Sequence, residues 1–398
     1  MVKYLLPFFF GLMWASIGQG QTNLVDSIRH DGLSRQYILH RPPGADTLGA
    51  LPLVLTLHGG SGSAASAINF TRLNPVADQG GFLVAYPQGY TALPGGGFAW
   101  ADGRGTPADL EGIDDVGFLL SLLDTLLAQH PIDTLRIYLS GFSNGGFLTQ
   151  RMACEAPERF AAMASLGCTM DTSLFARCEP GRPLPMFLLM GTADPFVPYD
   201  GGPMNGPVLP VVATDSLFDF WSANNGCQTS LPPEDLPDRV PDDNCTATRF
   251  DRTDCACNAG VRLFRINGGG HTWPGVELPA YELIAGETNE DIQASEELWT
   301  FFRSFTNTCD TLVSISEPAR YPHAIRLFPN PARSILYLQA GAPIQAVRFF
   351  DLNGRRSAWI EMRASEGSLS LDGMPPGLYG LKIRMQDGSL LVRQIVVQ

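Results

Sequence analysis

Apolar residues gather in short continuous runs near positions 53, 82, 135, 161, 186 and 261, separated by longer amphipathic stretches. Runs of strand length with no polar alternation read as strands buried on both faces. Their alternation with helical segments predicts a mostly parallel sheet covered by helices. The clearest helix is Asp114 to His130, where Val116, Leu119, Leu120, Leu123, Leu126 and Leu127 recur at helical spacing and Pro131 follows the end. This leucine stripe is core. Asp215 to Asn224 and Ile292 to Phe305 also read as helices, the second closing this region before Cys309, and Ser27 to Arg41 is patterned as an opening hairpin.

From about residue 325 the pattern changes. The runs Ile335 to Leu338, Val347 to Asp351, Leu369 to Leu371, Leu378 to Ile383 and Leu390 to Val397 are short and alternating, with Asn353-Gly354 and Asp387-Gly388 as hairpin turns. They predict a small antiparallel β-sandwich. Residues 325–398 hold no histidine and no cysteine, so catalysis is not expected there; the ordinary role of such a domain is carbohydrate binding.

The other end of the chain is a targeting segment by pattern. Met1 to Gly20 carries Lys3, the apolar stretch Tyr4 to Trp14 and small residues near Gly18 and Gly20, which reads as a signal peptide. Its apolar core is short for a membrane span, and no later segment reaches about 18 apolar residues. The expected organisation is a signal peptide at 1–20, a catalytic α/β domain at 21–310, a linker at 311–324 and the sandwich at 325–398.

Gly141-Phe142-Ser143-Asn144-Gly145 lies between the apolar run Leu135 to Leu139 and the helix-compatible stretch Gly146 to Cys154. That context makes it a nucleophile elbow, the sharp strand-to-helix turn of the α/β-hydrolase fold. The glycines relieve steric collision at the apex, and Ser143 stands at a helix N-terminus, where free N–H groups favour a developing oxyanion. Ser143 is the candidate nucleophile.

In this fold the acid and base follow the serine in the order Ser, Asp, His. Beyond Ser143 only His271 and His323 remain, and His323 sits in the linker-like stretch after Glu317. His271, in Gly268-Gly269-Gly270-His271 after the apolar run Val261 to Ile266, is the candidate base. Asp194 ends the run Met186 to Ala193, which reads as a buried parallel strand leading to the active-site edge, and is the candidate acid; Asp200 is the alternative. The oxyanion donors are assigned to the amides of Asn144 and Gly60, the latter in His58-Gly59-Gly60-Ser61-Gly62 after the run Leu51 to Leu57. His58 precedes the serine and is expected to hold that loop. Trp100 and Trp273 are expected to line an acyl or sugar site.

Composition narrows the partners. A formal net charge of −13 disfavours nucleic acid and anionic membrane surfaces, leaving neutral or polymeric substrates. The eight cysteines, Cys154, Cys168, Cys178, Cys227, Cys245, Cys255, Cys257 and Cys309, form an even set in an exported chain and suggest disulfides. Local bridges within Cys168 to Cys178 and Cys227 to Cys257 are expected. There is no paired C-x-x-C spacing and no histidine beside these thiols, so no metal is expected, and the aspartates between Asp235 and Asp254 lack calcium-loop spacing. The proposed chemistry needs no cofactor.

From about Leu51 to Phe305 the chain resembles the extracellular esterases grouped with polyhydroxybutyrate depolymerases and with the feruloyl and acetylxylan esterases of carbohydrate esterase family 1. The residues that carry this are Leu57-His58-Gly59-Gly60, Tyr86-Pro87-Gln88-Gly89, Trp100, Asp114-Asp115-Val116, Gly141 to Gly146, Gly191-Thr192-Ala193-Asp194 and Gly269 to Gly275. The resemblance implies Ser143, Asp194 and His271 as the triad of a serine esterase, acting on feruloyl or acetyl esters of plant polysaccharides. Polyester depolymerisation is the alternative, and a catalytically silent glycan-binding surface protein is an alternative of another class. At Gly60-Ser61 polyhydroxybutyrate relatives often carry a cysteine, and this departure counts against the polyester. The tail, with Phe328-Pro329-Asn330-Pro331-Ala332, Asp351 to Arg355 and Pro376-Gly377-Leu378-Tyr379, resembles the C-terminal sorting domain of the Bacteroidota type IX secretion system. It implies that machinery as a partner and a secreted or cell-surface location beyond the outer membrane of a Gram-negative cell.

Overall fold

The computed structural model describes residues 22–309 except 94 and 205–207, and residues 326–397 except 330, 331, 352–356, 358 and 387–389. The expected signal peptide and linker, His323, and the turns at Asn353-Gly354 and Asp387-Gly388 lie outside the described residues. Contacts divide the chain into two units, 1–310 and 311–398.

In the first unit the strands are β1 (Thr22–His30), β2 (Leu33–Arg41), β3 (Leu51–Leu57), β4 (Leu83–Pro87), β5 (Thr91–Ala92), β6 (Phe98–Ala99) and β7 (Ile132–Phe142). They continue as β8 (Ala162–Leu166), β9 (Met186–Gly191), β10 (Thr229–Ser230), β11 (Glu234–Asp235), β12 (Thr246–Thr253) and β13 (Val261–Asn267). The helices are α1 (Ala64–Thr71), α2 (Leu73–Gly80), α3 (Pro107–Leu110), α4 (Asp115–Gln129), α5 (Asn144–Glu155), α6 (Thr172–Arg177), α7 (Thr214–Asn224), α8 (Pro279–Ala285) and α9 (Ala294–Phe302).

Among the described residues one sheet runs in the order β1-β2-β4-β3-β7-β8-β9-β13-β12-β10, with β11 on β12. The stretch from β4 to β13 is parallel, and the β1-β2 hairpin and β12 add antiparallel edges. This is the α/β-hydrolase arrangement. Its central strands are apolar throughout because both faces are covered. In β3, Leu53, Leu55 and Leu57 enter the core beneath α4, α5 and α7, while Val54 enters the opposite core beneath α1, α2 and α9. The predicted helix at 114–130 is α4. Asp114 caps it by accepting from the Gly117 N–H, and Phe118 and Leu122 join Val116, Leu119, Leu123 and Leu126 on the buried face. Leu120 and Leu127 are only partly buried.

The cysteine pairing meets the sequence expectation in one segment, with a bridge within Cys227 to Cys257, and departs from it in the other, with none within Cys168 to Cys178. The bonds are Cys154–Cys178, Cys227–Cys255 and Cys257–Cys309, with Cys168 and Cys245 free and buried. Proximity in sequence misled: Cys168 follows β8 and lies under the elbow, where its Sγ occupies the space a Cβ on Gly146 would need, so Cys178 instead meets the end of α5. Cys227 bonds to Cys255 within the expected stretch, and Cys257 holds Cys309 after α9.

Among the described residues the second unit holds β14 (Arg326–Phe328), β15 (Ile335–Asp351), β16 (Ile360–Ser370), β17 (Gly377–Met385) and β18 (Leu390–Val397) in one five-stranded antiparallel sheet. Two runs expected as separate strands, 335–338 and 347–351, are one long strand. Register shifts between Gln339 and Ala346 let β15 bend, so its first half pairs with β14 and β16 and its second with β16 and β17. The bent sheet wraps its own core of Leu336, Leu338, Val347, Leu381, Ile383 and Ile395.

Candidate active site

Ser143 stands between β7 and α5 with φ 52° and ψ −119°, a strained conformation for a residue with a side chain. Its surroundings hold it there. The Ser143 N–H donates to the Leu166 carbonyl at 2.9 Å, and its own carbonyl accepts from Phe147 at 2.9 Å. A Cβ on Gly141 would fall 2.1 Å from the Gly145 carbonyl oxygen, and one on Gly145 would fall 2.5 Å from the His58 carbonyl oxygen. The elbow closes only because both positions lack a side chain.

Asp194 follows β9. One carboxylate oxygen accepts the N–H groups of Phe196 and Val197, each at 2.8 Å, and the other lies 2.6 Å from His271 Nδ1. Both side chains are buried, at 0% and 4% exposure, so water does not compete for this bond. His271 follows β13 on a loop held by the bond from its N–H to the Ala285 carbonyl at the end of α8. Its ring lies 4.7 Å from that of Phe142, the residue before Ser143, which sets the imidazole beside the elbow. Asp200, the alternative acid, is exposed and makes no ion pair with His271.

The Gly60 loop lies across from the elbow: a Cβ on Gly60 would be 3.8 Å from that of Asn144. His58 anchors this loop. Its partners fix one neutral tautomer, with Nδ1–H donating to the Gly59 carbonyl at 2.7 Å and Nε2 accepting the Gly89 N–H at 3.0 Å. Burial pushes its pKa down to about 4, so it carries no charge at neutral pH.

The two tryptophans expected to line the site are buried, Trp100 at 0% and Trp273 at 1% exposure. Trp100 is a brace. Its indole N–H donates to the His58 carbonyl at 2.9 Å, while its backbone N–H and carbonyl bind the Asn144 side chain at 2.8 and 3.1 Å. Asn144 also donates to Asp102 at 2.6 Å, and Asp102 is paired with Arg104 in a buried bridge at 2.7 Å. Asp115, itself paired with buried Arg35, accepts the Ala101 N–H at 2.7 Å and so fixes the same loop from below. Trp273 donates to Ser295 and stands edge-on behind Phe70. Sequence proximity to the site was visible for both tryptophans, but the direction of their side chains was not.

What does line a cavity here was not anticipated. A space of about 680 Å³ opens between the Gly59–Gly62 loop, α1 and α8, with Phe70, Phe142 and Tyr281 in its wall. Phe70 lies on α1 and Tyr281 on α8, two short helices that the pattern of apolar runs does not predict.

Among the described residues no helix is long and apolar enough to cross a membrane. Residues 326–398 match the family Secretion system C-terminal sorting domain. The solved acetyl xylan esterase from Aspergillus awamori aligns over 66% of this chain and 97% of that one, at a TM-score of 0.43 and 14% identity. Feruloyl esterase B of Piromyces equi is 29% identical over 60% of this chain, which spans 42% of that protein. The bifunctional acetylxylan esterase/xylanase XynS20E of Neocallimastix patriciarum is 30% identical over 44% of this chain, which spans 23% of it. The chain thus spans less than half the length of either fungal relative. NocK of Nocardia uniformis subsp. tsuyamanensis, named as an esterase, is 31% identical over 67% of this chain and 78% of its own length. Residues 35–172, which hold the Gly60 loop and the elbow, match the family Esterase PHB depolymerase, and with that relative they establish that the chain belongs to this family of carboxylic ester hydrolases.

Proposed function

We propose that the first unit is a serine esterase in which Ser143, His271 and Asp194 form the catalytic triad. The observation that carries this reading is the buried 2.6 Å bond between Asp194 and His271 Nδ1, beside an elbow that strains Ser143. Asp194 keeps the proton on Nδ1, which leaves Nε2 as the base. His271 takes the Ser143 proton as Oγ attacks the ester carbonyl, and the Gly60 and Asn144 amides stabilise the oxyanion. His271 then protonates the departing alcohol. Water, deprotonated by the same imidazole, attacks the acyl-enzyme and releases the acid.

The substrates are feruloyl or acetyl esters on plant polysaccharides, a reading supported by the relatives named for those activities. The second unit directs the enzyme through the type IX secretion machinery to the cell surface or medium, across the outer membrane of a Gram-negative cell, supported by its match to a sorting domain. The test of the triad is Ser143→Ala, expected to lower p-nitrophenyl acetate turnover by on the order of 10⁴ or more with the fold intact. Retained turnover in a folded Ser143→Ala protein would remove the assignment. A panel of methyl ferulate, acetylated xylan and polyhydroxybutyrate tests the substrate class, and preferential release of hydroxybutyrate would make the enzyme a polyester depolymerase.

A further inference from the structure

The cavity of about 680 Å³ is bounded by the loop that carries Gly60, by Phe142, which precedes Ser143, and by α1 and α8. Three rings form a connected wall: Phe70 lies 4.7 Å from Phe142 and 5.7 Å from Tyr281, the second pair edge to face at 85°. Phe142 in turn contacts His271. Phe142 therefore links the ring of the proposed base to the wall of the chamber.

Size separates the acyl groups the chamber can recognise. At ~30 Å³ per heavy atom, the share of a water molecule in the liquid, an acetyl group needs ~90 Å³ and a feruloyl group ~400 Å³. Acetyl would leave most of this space unfilled, whereas a planar aromatic acyl group would use it and meet ring faces and edges. The alcohol half of a polysaccharide ester is polar and tied to its polymer, so it remains in solvent and the acyl half enters. The chamber also offers a polar handle. Among the described residues the Tyr281 hydroxyl makes no hydrogen bond, and burial, with the Asp194 carboxylate adding, pushes its pKa up to about 12, so it stays a donor.

We propose that the space between α1 and α8 is the acyl site, and that Phe70 and Tyr281 select planar aromatic acyl groups of the phenylpropenoid kind over acetyl. This rests on the serine-esterase reading above.

The test compares kcat/KM for methyl ferulate and p-nitrophenyl acetate in the full chain. Tyr281→Ala removes part of the wall. Ala280→Trp and Ile284→Trp fill the chamber from positions on α8 that are exposed and therefore tolerant of change. The ferulate-to-acetate ratio is expected to fall about tenfold or more in each variant. Binding of free ferulic acid to Ser143→Ala, read by quenching of tryptophan fluorescence, is expected to weaken when Ile284→Trp is added. A ratio within twofold of the wild type in all three variants overturns the proposal, as does a wild type that cleaves the acetate and neither binds nor cleaves ferulate. If the wild type fails to cleave p-nitrophenyl acetate, or Ser143→Ala still does, the triad reading fails instead.

Discussion

Asn144 and Trp100 are joined by two hydrogen bonds: Asn144 Oδ1 accepts the Trp100 N–H at 2.8 Å, and Asn144 Nδ2 donates to the Trp100 carbonyl at 3.1 Å. Since the Trp100 indole also binds the His58 carbonyl, one residue ties the elbow to the loop carrying Gly60. The two proposed oxyanion donors come from segments far apart in sequence, and this bridge sets their separation. Trp100→Phe keeps most of the packing and removes the indole N–H. It should lower kcat about 10- to 100-fold through displaced donors, with a smaller change in KM. The unpaired His58 carbonyl should cost about 1–3 kcal/mol in urea denaturation. An unchanged kcat in Trp100→Phe would show that the bridge does not position the donors.

Asp194→Asn separates the structural and chemical work of one side chain. An asparagine oxygen can still accept the Phe196 and Val197 N–H groups and so preserve the turn after β9. Its amide then faces His271 Nδ1 and favours the wrong tautomer. Turnover should fall by on the order of 10⁴ with little change in melting temperature. Near-normal turnover would shift the acid role to another carboxylate.

Much of this site was legible in the chain because its parts are local. A strand, a turn demanding small residues and a helix are written consecutively around Ser143, and the apolar runs before Gly60, Asp194 and His271 mark strand ends that a parallel sheet must gather at one edge. What stayed hidden depends on contacts distant in sequence. Trp100 turned inward because Asn144 and His58 hold it, and the partner of Cys178 was decided by where α5 ends. The long bent β15 escaped notice because its register shifts break the two-residue alternation that a strand normally shows.

The cysteines make a quantitative prediction. Denatured without reductant, the secreted protein should expose two thiols, Cys168 and Cys245, with the other six cysteines protected as disulfides. In the folded protein neither free thiol should react with iodoacetamide, since both are buried and burial pushes each pKa up to about 12. The bridges span 24, 28 and 52 residues, and opening one should cost about 3–4 kcal/mol by loop entropy. Mass spectrometry after alkylation counts both populations, and a modified Cys168 in the folded enzyme would contradict the packing under the elbow.

His58 should stay neutral well into acid. Its pKa falls from the ordinary 6.5 to about 4 in the folded state, so between those values the unfolded chain binds a proton that the folded chain does not. Its contribution, ~3 kcal/mol, is therefore fully present above pH 6.5 and is lost as pH falls toward 4. With six histidines in the chain, imidazole NMR can follow each one. A His58 resonance that titrates near 6.5 would show that the loop is not closed as described.

Ending the chain at residue 310 should leave ester turnover intact. Ser143, Asp194, His271, Gly60 and Asn144 all precede that point, as do the two cores that flank the main sheet, and Cys309 is kept for its bond to Cys257. The second unit has a separate core and supplies none of these residues. Its loss should leave kcat/KM for p-nitrophenyl acetate within about twofold, because every group proposed to bind or attack the ester is kept. In the native host the same truncation should hold the enzyme inside the cell envelope, since the segment matching a secretion sorting domain is gone. Fractionation with activity assays of envelope, surface and medium checks both halves. Activity reaching the medium at the normal level would deny the tail its sorting role, while an inactive but folded truncation would show that the second unit contributes to catalysis.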